Sequence, residues 1–373
     1  MVTNRKRVVF VLDQQVGLRT HSLNLIHGLQ HHDGIEAILI PVTYKSSGHW
    51  LTKIPGISEH LAGTLLARQE ILDGFDQLQD IDAVVWGSWA MKSVPHLTAK
   101  YPSFFVMDIT PNQMESLKDV YNLETTRWQF LTAIKDNHIR RTYRQSLGFF
   151  PWSHYCANSL IRDWNIPPSK VEVVSPGVDV TRFIPGEPHT GGPVRILFVG
   201  GNLKRKGGDI LVEWARKMGN KVQVILVTRE QVCSVPTNVT VLHGVEPNSA
   251  ALIECYQAAD IFALPTRGDC YSMVAMEAMA CGVPVVISDV GGIQDIVDDG
   301  ITGFLTPYDD DCSFFERLEK LVENQPLRSQ MAAAARERAV TLFDATQRAR
   351  DLGNHVLAAL AVVSDLNPAT KAA

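Results

Sequence analysis

The chain has 373 residues, of which 45% are hydrophobic and 20% charged, and its formal net charge is -5. This length is enough for two domains that each bury a core. The mild acidity argues against nucleic acid as a partner, because proteins that bind a phosphate backbone usually present a basic face. The six cysteines show no C-x-x-C spacing. A reduced, cytoplasmic setting is therefore expected rather than a disulfide framework or a zinc site.

The first predicted element is a strand at residues 8–12, which is followed by a polar loop with Gly17 and Leu18 and then by a helix. Strand, loop and helix in this order are typical of the start of a doubly wound α/β domain. The apolar run is too short for a signal peptide. No run in the chain approaches the roughly 20 apolar residues that span a bilayer.

Further strands are predicted at residues 83–86, 104–107 and 149–152. Asp108 and Thr110 follow the second of these, so we expect them at the carboxyl edge of the sheet, where ligands of such domains bind. A strand-end cap is an equally good interpretation of Asp108.

A long helix is predicted at residues 123–147, with a basic side over residues 124–146. Such a side is one way to contact anionic lipid, which makes peripheral membrane contact a hypothesis. The simpler interpretation is a solvated helix face.

A segment rich in proline and glycine, residues 185–193, marks a boundary, and a linker is predicted at 186–193. The α/β pattern restarts at residues 194–199 and leads into a turn with Gly200, Gly201, Arg205 and Lys206 before the next helix. A glycine turn with basic side chains between a strand and a helix favours a phosphate site. Further strands are predicted at 222–227 and 239–242, and His243 and Gly244 follow the second.

The most informative stretch is residues 264–305, which predicts a strand that ends at Leu264, a polar turn, a helix to Cys281 and another strand. The amino end of such a helix attracts an anion, most often a phosphate. Asp269 and Glu277 are eight positions apart. We expect one before the helix starts and the other on its third turn, so that both border one ligand.

The same stretch resembles the retaining glycosyltransferases of the GT-B fold, family 4. That family carries E-x7-E followed by A-M-A-x-G-x-P-V-V and then G-G. The chain matches this pattern with Asp269, Glu277, the run 278–286 and Gly291-Gly292, although Asp269 stands where the family usually has glutamate. Residues 170–183 resemble the family's V-I-P-N-G-V-D-x-x-x-F segment, and Lys206 matches the lysine of its F-V-G-R-x-x-x-x-K-G segment. The arginine of that segment is Gly201 here.

The resemblance implies two Rossmann-like, doubly wound α/β domains that face each other across a cleft, with a C-terminal crossover helix. The expected boundaries are an acceptor-side domain at 1–185, the linker, a nucleotide-sugar-binding domain at 194–344, a crossover helix at 345–363 and a disordered tail at 364–373.

The implied activity is transfer of a sugar from a nucleotide-diphosphate sugar to an acceptor hydroxyl, without metal or cofactor. The predicted catalytic residues are Asp269, Lys206, Asp108 and Thr110. Gly17 and Leu18 are expected in a loop beside the cleft. The predicted donor-binding residues are Gly200, Gly201, Arg205, Lys206, His243, Gly244, Asp269, Cys270, Tyr271, Ser272, Met273 and Glu277. The sugar, the base, the acceptor and the oligomeric state stay open.

Two carboxylates also raise the possibility of glycoside hydrolysis. Eight residues at 1.5 Å each place the two backbones about 12 Å apart, beyond the roughly 5–9.5 Å between the carboxylates of glycosidases. The helix geometry therefore argues against a hydrolase. A catalytically silent nucleotide-sugar-binding protein of the same fold remains the alternative.

Overall fold

The computed structural model describes residues 5–45, 49–54, 59–121 and 129–366. These residues form two compact units. The first comprises the described parts of Met1–Met114, Thr125–Gly177 and Ala345–Ala373, and the second those of Glu115–Glu124 and Val178–Asp344.

The predicted linker at 186–193 lies within the second unit, because the division falls earlier, between Gly177 and Val178. His189 Nδ1 lies 3.0 Å from Asp260 Oδ2, and Gln257 Nε2 donates to the Ile184 carbonyl oxygen at 3.1 Å. These contacts attach the segment to the second unit, although its composition is typical of a linker.

The first unit is built on a parallel five-stranded sheet with the strand order β2-β1-β3-β4-β5. Its strands are β1 (Lys6–Asp13), β2 (Ile35–Val42), β3 (Ala83–Trp86), β4 (Ser103–Met107) and β5 (Gly148–Pro151). The two central strands β1 and β3 are buried over nearly their whole length. Continuous apolar runs of this kind are expected where helices cover both faces of a parallel sheet.

The helices of the first unit are α1 (Val16–Leu29), α2 (Glu59–Asp76), α3 (Pro95–Lys100), α4 (Pro111–Ser116), α5 (Gln129–Gln145) and α6 (His154–Arg162), joined by the helix that ends the described chain, Ala345–Leu366. The last two residues of α4 are already assigned to the second unit. That last helix packs along α1 and thus returns to the first unit. It continues three residues past the predicted end at 363, and residues 367–373 lie outside the described chain. The predicted start of the basic helix, residues 123–128, also lies outside it.

The second unit contains a parallel six-stranded sheet with the order β11-β10-β9-β6-β7-β8. Its strands are β6 (Val194–Val199), β7 (Val222–Val227), β8 (Val239–Leu242), β9 (Ile261–Leu264), β10 (Val285–Asp289) and β11 (Gly303–Pro307). Its helices are α7 (Gly208–Met218), α8 (Ala250–Gln257), α9 (Met273–Ala280), α10 (Asp311–Glu323) and α11 (Gln325–Leu342), so the returning helix Ala345–Leu366 is α12.

β6 and β9 are hydrogen-bonded neighbours in this sheet. The segments that leave their carboxyl ends therefore emerge side by side, and one leads to α7 while the other leads to α9. Two parallel-sheet α/β units with a returning C-terminal helix confirm the predicted fold class. Among the described helices, none combines the length and the apolar run that a membrane span requires.

Candidate functional site

The turn between β6 and α7 brings Lys206 onto the sheet edge. Gly207 adopts φ +77°, and a Cβ there would lie 1.9 Å from the Pro265 carbonyl oxygen at the end of β9. A Cβ on Gly200 would lie 3.0 Å from Cβ of Lys206. Glycine at these two positions thus lets the turn pack against the neighbouring strand end and lets the lysine fold back over its own loop.

Lys206 and Asp269 form an ion pair between the ends of the two neighbouring strands. Lys206 Nζ donates to Asp269 Oδ2, and the two residues are only 9% and 7% exposed. Burial lowers the pKa of Lys206, and the Asp269 carboxylate opposes that shift. An ammonium has three N–H groups, so this pair fixes the direction of the lysine and leaves two donors for a further acceptor.

The amino end of α9 lies directly after this pair in the chain. Its first N–H groups have no acceptor within the helix, and they carry the positive end of the helix dipole. Ser272 is the N-terminal flanking residue, but its side chain does not cap the helix. Its Oγ is buried and has no hydrogen-bond partner among the described residues. A buried hydroxyl of this kind is available to a ligand, which fits the predicted phosphate site.

Glu277 lies deeper along the same helix and is 3% exposed. It is the fifth residue of α9 and thus lies in the second turn, not the third, because the helix begins only at Met273. Burial raises its pKa to about 7, and a hydrogen bond from Tyr256 opposes the shift. Tyr256 Oη donates to Glu277 Oε2 at 2.7 Å.

Arg205 is held in place by its neighbours. Its guanidinium lies 4.5 Å from the ring centroid of Tyr121 and donates to the Gly268 carbonyl oxygen at 2.6 Å. Tyr121 Oη in turn lies 3.4 Å from Cys270 Sγ. The arginine therefore connects the β6 turn, the β9 turn and residue 121, and part of its donor capacity is already used.

The other predicted donor-binding residues border these two turns or follow neighbouring strands. Cys270 and Tyr271 are buried between Asp269 and α9. A Cβ on Gly201 would meet nothing within 4 Å. His243 and Gly244 follow β8 and are exposed. The His243 ring is fixed by the Thr228 carbonyl oxygen, which lies 3.1 Å from Nδ1.

The predicted residues of the first unit have partners inside that unit. Asp108 accepts a hydrogen bond from Ser88 Oγ at 2.9 Å. Thr110 is fully buried, and its Oγ1 lies 2.7 Å from Ser159 Oγ. Gly17 and Leu18 do not form a loop, because α1 already begins at Val16. Their predicted role beside an acceptor stays a prediction.

Asp13 and Tyr44, which are not among the predicted site residues, form a second polar centre on the first unit. Asp13 ends β1 and is 2% exposed. Tyr44 Oη donates a hydrogen bond to Asp13 Oδ1 at 2.6 Å. Burial raises the pKa of Asp13 to about 6. Asp13 could have been found by the same signal as Asp108, because each is a polar residue at the carboxyl end of a buried strand.

Sequence comparison finds similar proteins for part of the chain, and its family match falls within the second unit. A profile of the family "Glycosyl transferases group 1" matches residues 179–338. The D-inositol 3-phosphate glycosyltransferase of Corynebacterium diphtheriae is 32% identical over 210 residues, which are 49% of this chain and 49% of that protein. The enzyme of the same name from Xylanimonas cellulosilytica is 31% identical over 208 residues, 48% of this chain and 49% of its own. The chain thus spans about half the length of these curated relatives.

Structural comparison covers nearly the whole chain. Sucrose-phosphate synthase from Thermosynechococcus elongatus superposes with a TM-score of 0.71 at 16% identity, over 96% of this chain and 100% of the other. Anabaena HepE in complex with UDP-glucose gives 0.67 at 16% identity, over 94% and 99%. At this identity the likeness establishes the fold. Residues 179–338 therefore match the glycosyl transferases of group 1, and the chain has the GT-B fold.

Proposed function

We propose that this protein is a glycosyltransferase that moves a sugar from a nucleotide-diphosphate sugar to an acceptor hydroxyl. The observation that carries the proposal is the buried Lys206–Asp269 pair at the amino end of α9. It lies within the segment that matches the family profile. A structural neighbour holds UDP-glucose on the same fold, as the name of that complex states.

The chemistry of the reaction explains why these groups are needed together. Negative charge grows on the diphosphate as the sugar leaves, and the anomeric carbon becomes positively charged. Fixed donors directed at the diphosphate are then the largest catalytic contribution. We assign this role to the Lys206 ammonium, the backbone N–H groups of Ser272 and Met273, and the Ser272 hydroxyl. Arg205 supports the turn that carries Lys206, because its guanidinium is held by Tyr121 and Gly268.

The carboxylates orient the two ends of the donor. We assign Glu277 to the ribose hydroxyls and Asp269 to hydroxyls of the transferred sugar, in line with the family resemblance. Asp269 is one methylene shorter than the glutamate usual at its position, and its pairing with Lys206 supports a position near the diphosphate end of the proposed site. The proposed reaction retains the anomeric configuration and needs no metal.

Titration calorimetry with UDP, GDP and ADP tests the donor site. We expect at least one of the three to bind. The variant Ser272→Ala, which removes the unpartnered hydroxyl, should weaken binding of that nucleotide by roughly 10- to 100-fold, as expected for one hydrogen bond to a charged group. A folded protein that binds none of the three would contradict the proposal.

A silent binding protein of the same fold is the second candidate. It is favoured by the pairing of Lys206 with Asp269, since a lysine engaged by a carboxylate neutralises less of the diphosphate charge. Nucleotide binding without sugar transfer to any member of a broad acceptor panel would support it. The names of the curated relatives justify D-inositol 3-phosphate as one member of that panel.

Peripheral membrane contact through the basic helix is part of the proposal. In the described part of α5, Ile139 and Tyr143 face the core, while Arg141 and Arg144 are exposed. Arg140 is held on the Trp164 ring at 4.9 Å. We expect sedimentation with vesicles that contain phosphatidylglycerol, and loss of that binding in Arg141→Glu/Arg144→Glu. Equal sedimentation of the variant would remove the basic helix from the proposal, and no sedimentation of the wild type would remove the membrane.

A further inference from the structure

Glu277 is the most deeply buried carboxylate of the donor site, and one tyrosine determines how it is held. Tyr256 is completely buried on α8, and its hydroxyl donates to Glu277 Oε2 at 2.7 Å. Among the described residues, no other side chain hydrogen-bonds to this carboxylate. The position of the carboxylate therefore depends on one contact from a different helix.

The tyrosine ring cannot readily move. Its centroid lies 6.0 Å from that of Phe183 and 6.1 Å from that of Phe262 on β9. Ser249 caps the helix that carries it, since Ser249 Oγ accepts a hydrogen bond from the Leu252 N–H at 3.2 Å. A hydroxyl on a fixed ring directs its hydrogen bond to one point, so the carboxylate oxygen that receives it is fixed as well.

The same contact favours the charged form of Glu277. Burial alone raises the pKa of a carboxyl group because it removes water from the anion. The hydrogen bond from Tyr256 acts in the opposite direction on Glu277. A carboxylate that receives one hydrogen bond at Oε2 keeps Oε1 as an acceptor.

We infer that Tyr256 is a positioning residue for nucleotide recognition: it holds Glu277 so that Oε1 accepts hydrogen bonds from the ribose hydroxyls of a nucleoside diphosphate. The inference rests on the proposed function of the site. It adds a residue outside the family pattern, and it assigns that residue to one part of the ligand. The base and the diphosphate should not sense the tyrosine hydroxyl.

The test compares UDP with 2′,3′-dideoxy-UDP, which differ only in the two ribose hydroxyls, on the wild type and on Tyr256→Phe. We expect the wild type to bind UDP more tightly than the dideoxy compound. Tyr256→Phe should weaken UDP binding roughly three- to tenfold, the effect of about one ordinary hydrogen bond, because the carboxylate itself remains. Its affinity for the dideoxy compound should change less than twofold. The preference for ribose hydroxyls would then nearly disappear.

Two controls keep the outcomes distinct. Tyr143→Phe removes a buried tyrosine hydroxyl from the first unit and should leave both affinities unchanged. Glu277→Gln should reduce the ribose preference in the wild type and add nothing further to Tyr256→Phe. Equally weakened binding of UDP and its dideoxy analogue in Tyr256→Phe would overturn the inference, because it would mark the tyrosine as purely structural.

If neither GDP, ADP nor UDP binds the folded wild type, the proposed function itself fails. If GDP or ADP is the nucleotide that binds, the same comparison is made with its dideoxy form.

Discussion

Lys206 and Asp269 belong to a buried pair, and this determines how a substitution of the lysine must be interpreted. Lys206→Met alone leaves a buried carboxylate without a cation, which costs about 3 kcal/mol of unfolding free energy. A loss of activity in that variant would therefore not distinguish lost stability from the missing cation. A second substitution, at Asp269, separates these two effects.

We predict that Lys206→Met/Asp269→Asn regains most of the stability that Lys206→Met loses, but that its transfer rate stays about 10²- to 10³-fold below wild type. The physical reason is that the double variant has no unpaired buried charge and yet lacks the cation for the diphosphate. Urea denaturation and turnover measure the two quantities. Recovery of the rate together with the stability would assign a purely structural role to Lys206.

The raised pKa of Glu277 predicts that the stability of the folded protein depends on pH. Its pKa rises from 4.5 in the unfolded chain to about 7 in the folded protein because of burial. The folded state therefore binds the proton more tightly, so the contribution of this group is present below pH 4.5 and is lost as the pH rises towards 7.

Glu277→Gln should remove this dependence while keeping an oxygen that can accept the hydrogen bond of Tyr256. Relative to wild type, the variant should gain roughly 3 kcal/mol of unfolding free energy between pH 4.5 and pH 8. Chemical denaturation of both proteins across this range checks the sign. A difference that stays constant, or that shrinks as the pH rises, would show that Glu277 ionises freely in the folded state.

At the scale of elements, the donor site depends on a close approach between two backbone segments. Gly291 adopts φ +60°, and a Cβ there would lie 2.2 Å from the Asp269 carbonyl oxygen. The Gly292 N–H also donates to the Cys270 carbonyl oxygen at 2.9 Å. The segment after β10 thus supports the loop that leads into α9.

Gly291→Ala should displace this loop, lower the unfolding free energy by more than about 2 kcal/mol and weaken nucleotide binding. Gly300→Ala is the matched control. Gly300 also has a positive φ, +78°, but its Cβ would meet nothing within 4 Å, so we expect only the strain of about 1 kcal/mol and unchanged binding. Similar effects of the two variants would show that the contact at Asp269 is unimportant.

Elements with strong local signals were predictable from the sequence. The strands 194–199, 222–227, 239–242 and 261–264 occur at the predicted positions because apolar, β-branched runs in a buried parallel sheet leave little ambiguity. β11 was not predicted, because the run is short and has glycine and proline, Gly303 and Pro307, at its two ends, which is typical of a loop. The start of α9 was placed too early because the polar turn before it resembles a helix start.

The site was predictable in its residues but not in their contacts. The pattern indicated Lys206, Asp269 and Glu277 as site residues. It did not indicate that Lys206 pairs with Asp269, which lies 63 positions later in the chain. The two come together because β6 and β9 are neighbours in the sheet. No local pattern marks Tyr256 or Tyr121 as partners of the site, because helix α8 and residue 121 reach it through tertiary packing. Residues of this kind can be identified only when the fold is known.

At the scale of the whole molecule, the chain divides its residues between two α/β units, and the returning helix α12 makes the first unit discontinuous in sequence. The part that matches the family profile, residues 179–338, falls within the second unit. The donor is therefore assigned to the unit with the family signature. In this proposal, acceptor selection belongs to the first unit, where Asp13, Asp108 and Thr110 lie at strand ends.

The proposed reaction transfers a sugar from a nucleotide-bound donor. Its most direct test is incubation of the protein with the sugar conjugate of the nucleotide that calorimetry identifies, together with an acceptor panel, followed by NMR of the product's anomeric proton. We predict a new glycoside with the anomeric configuration of the donor, formed about 10²- to 10³-fold more slowly by Lys206→Met/Asp269→Asn. A glycoside of inverted configuration, or equal product from the double variant, would contradict the proposed reaction.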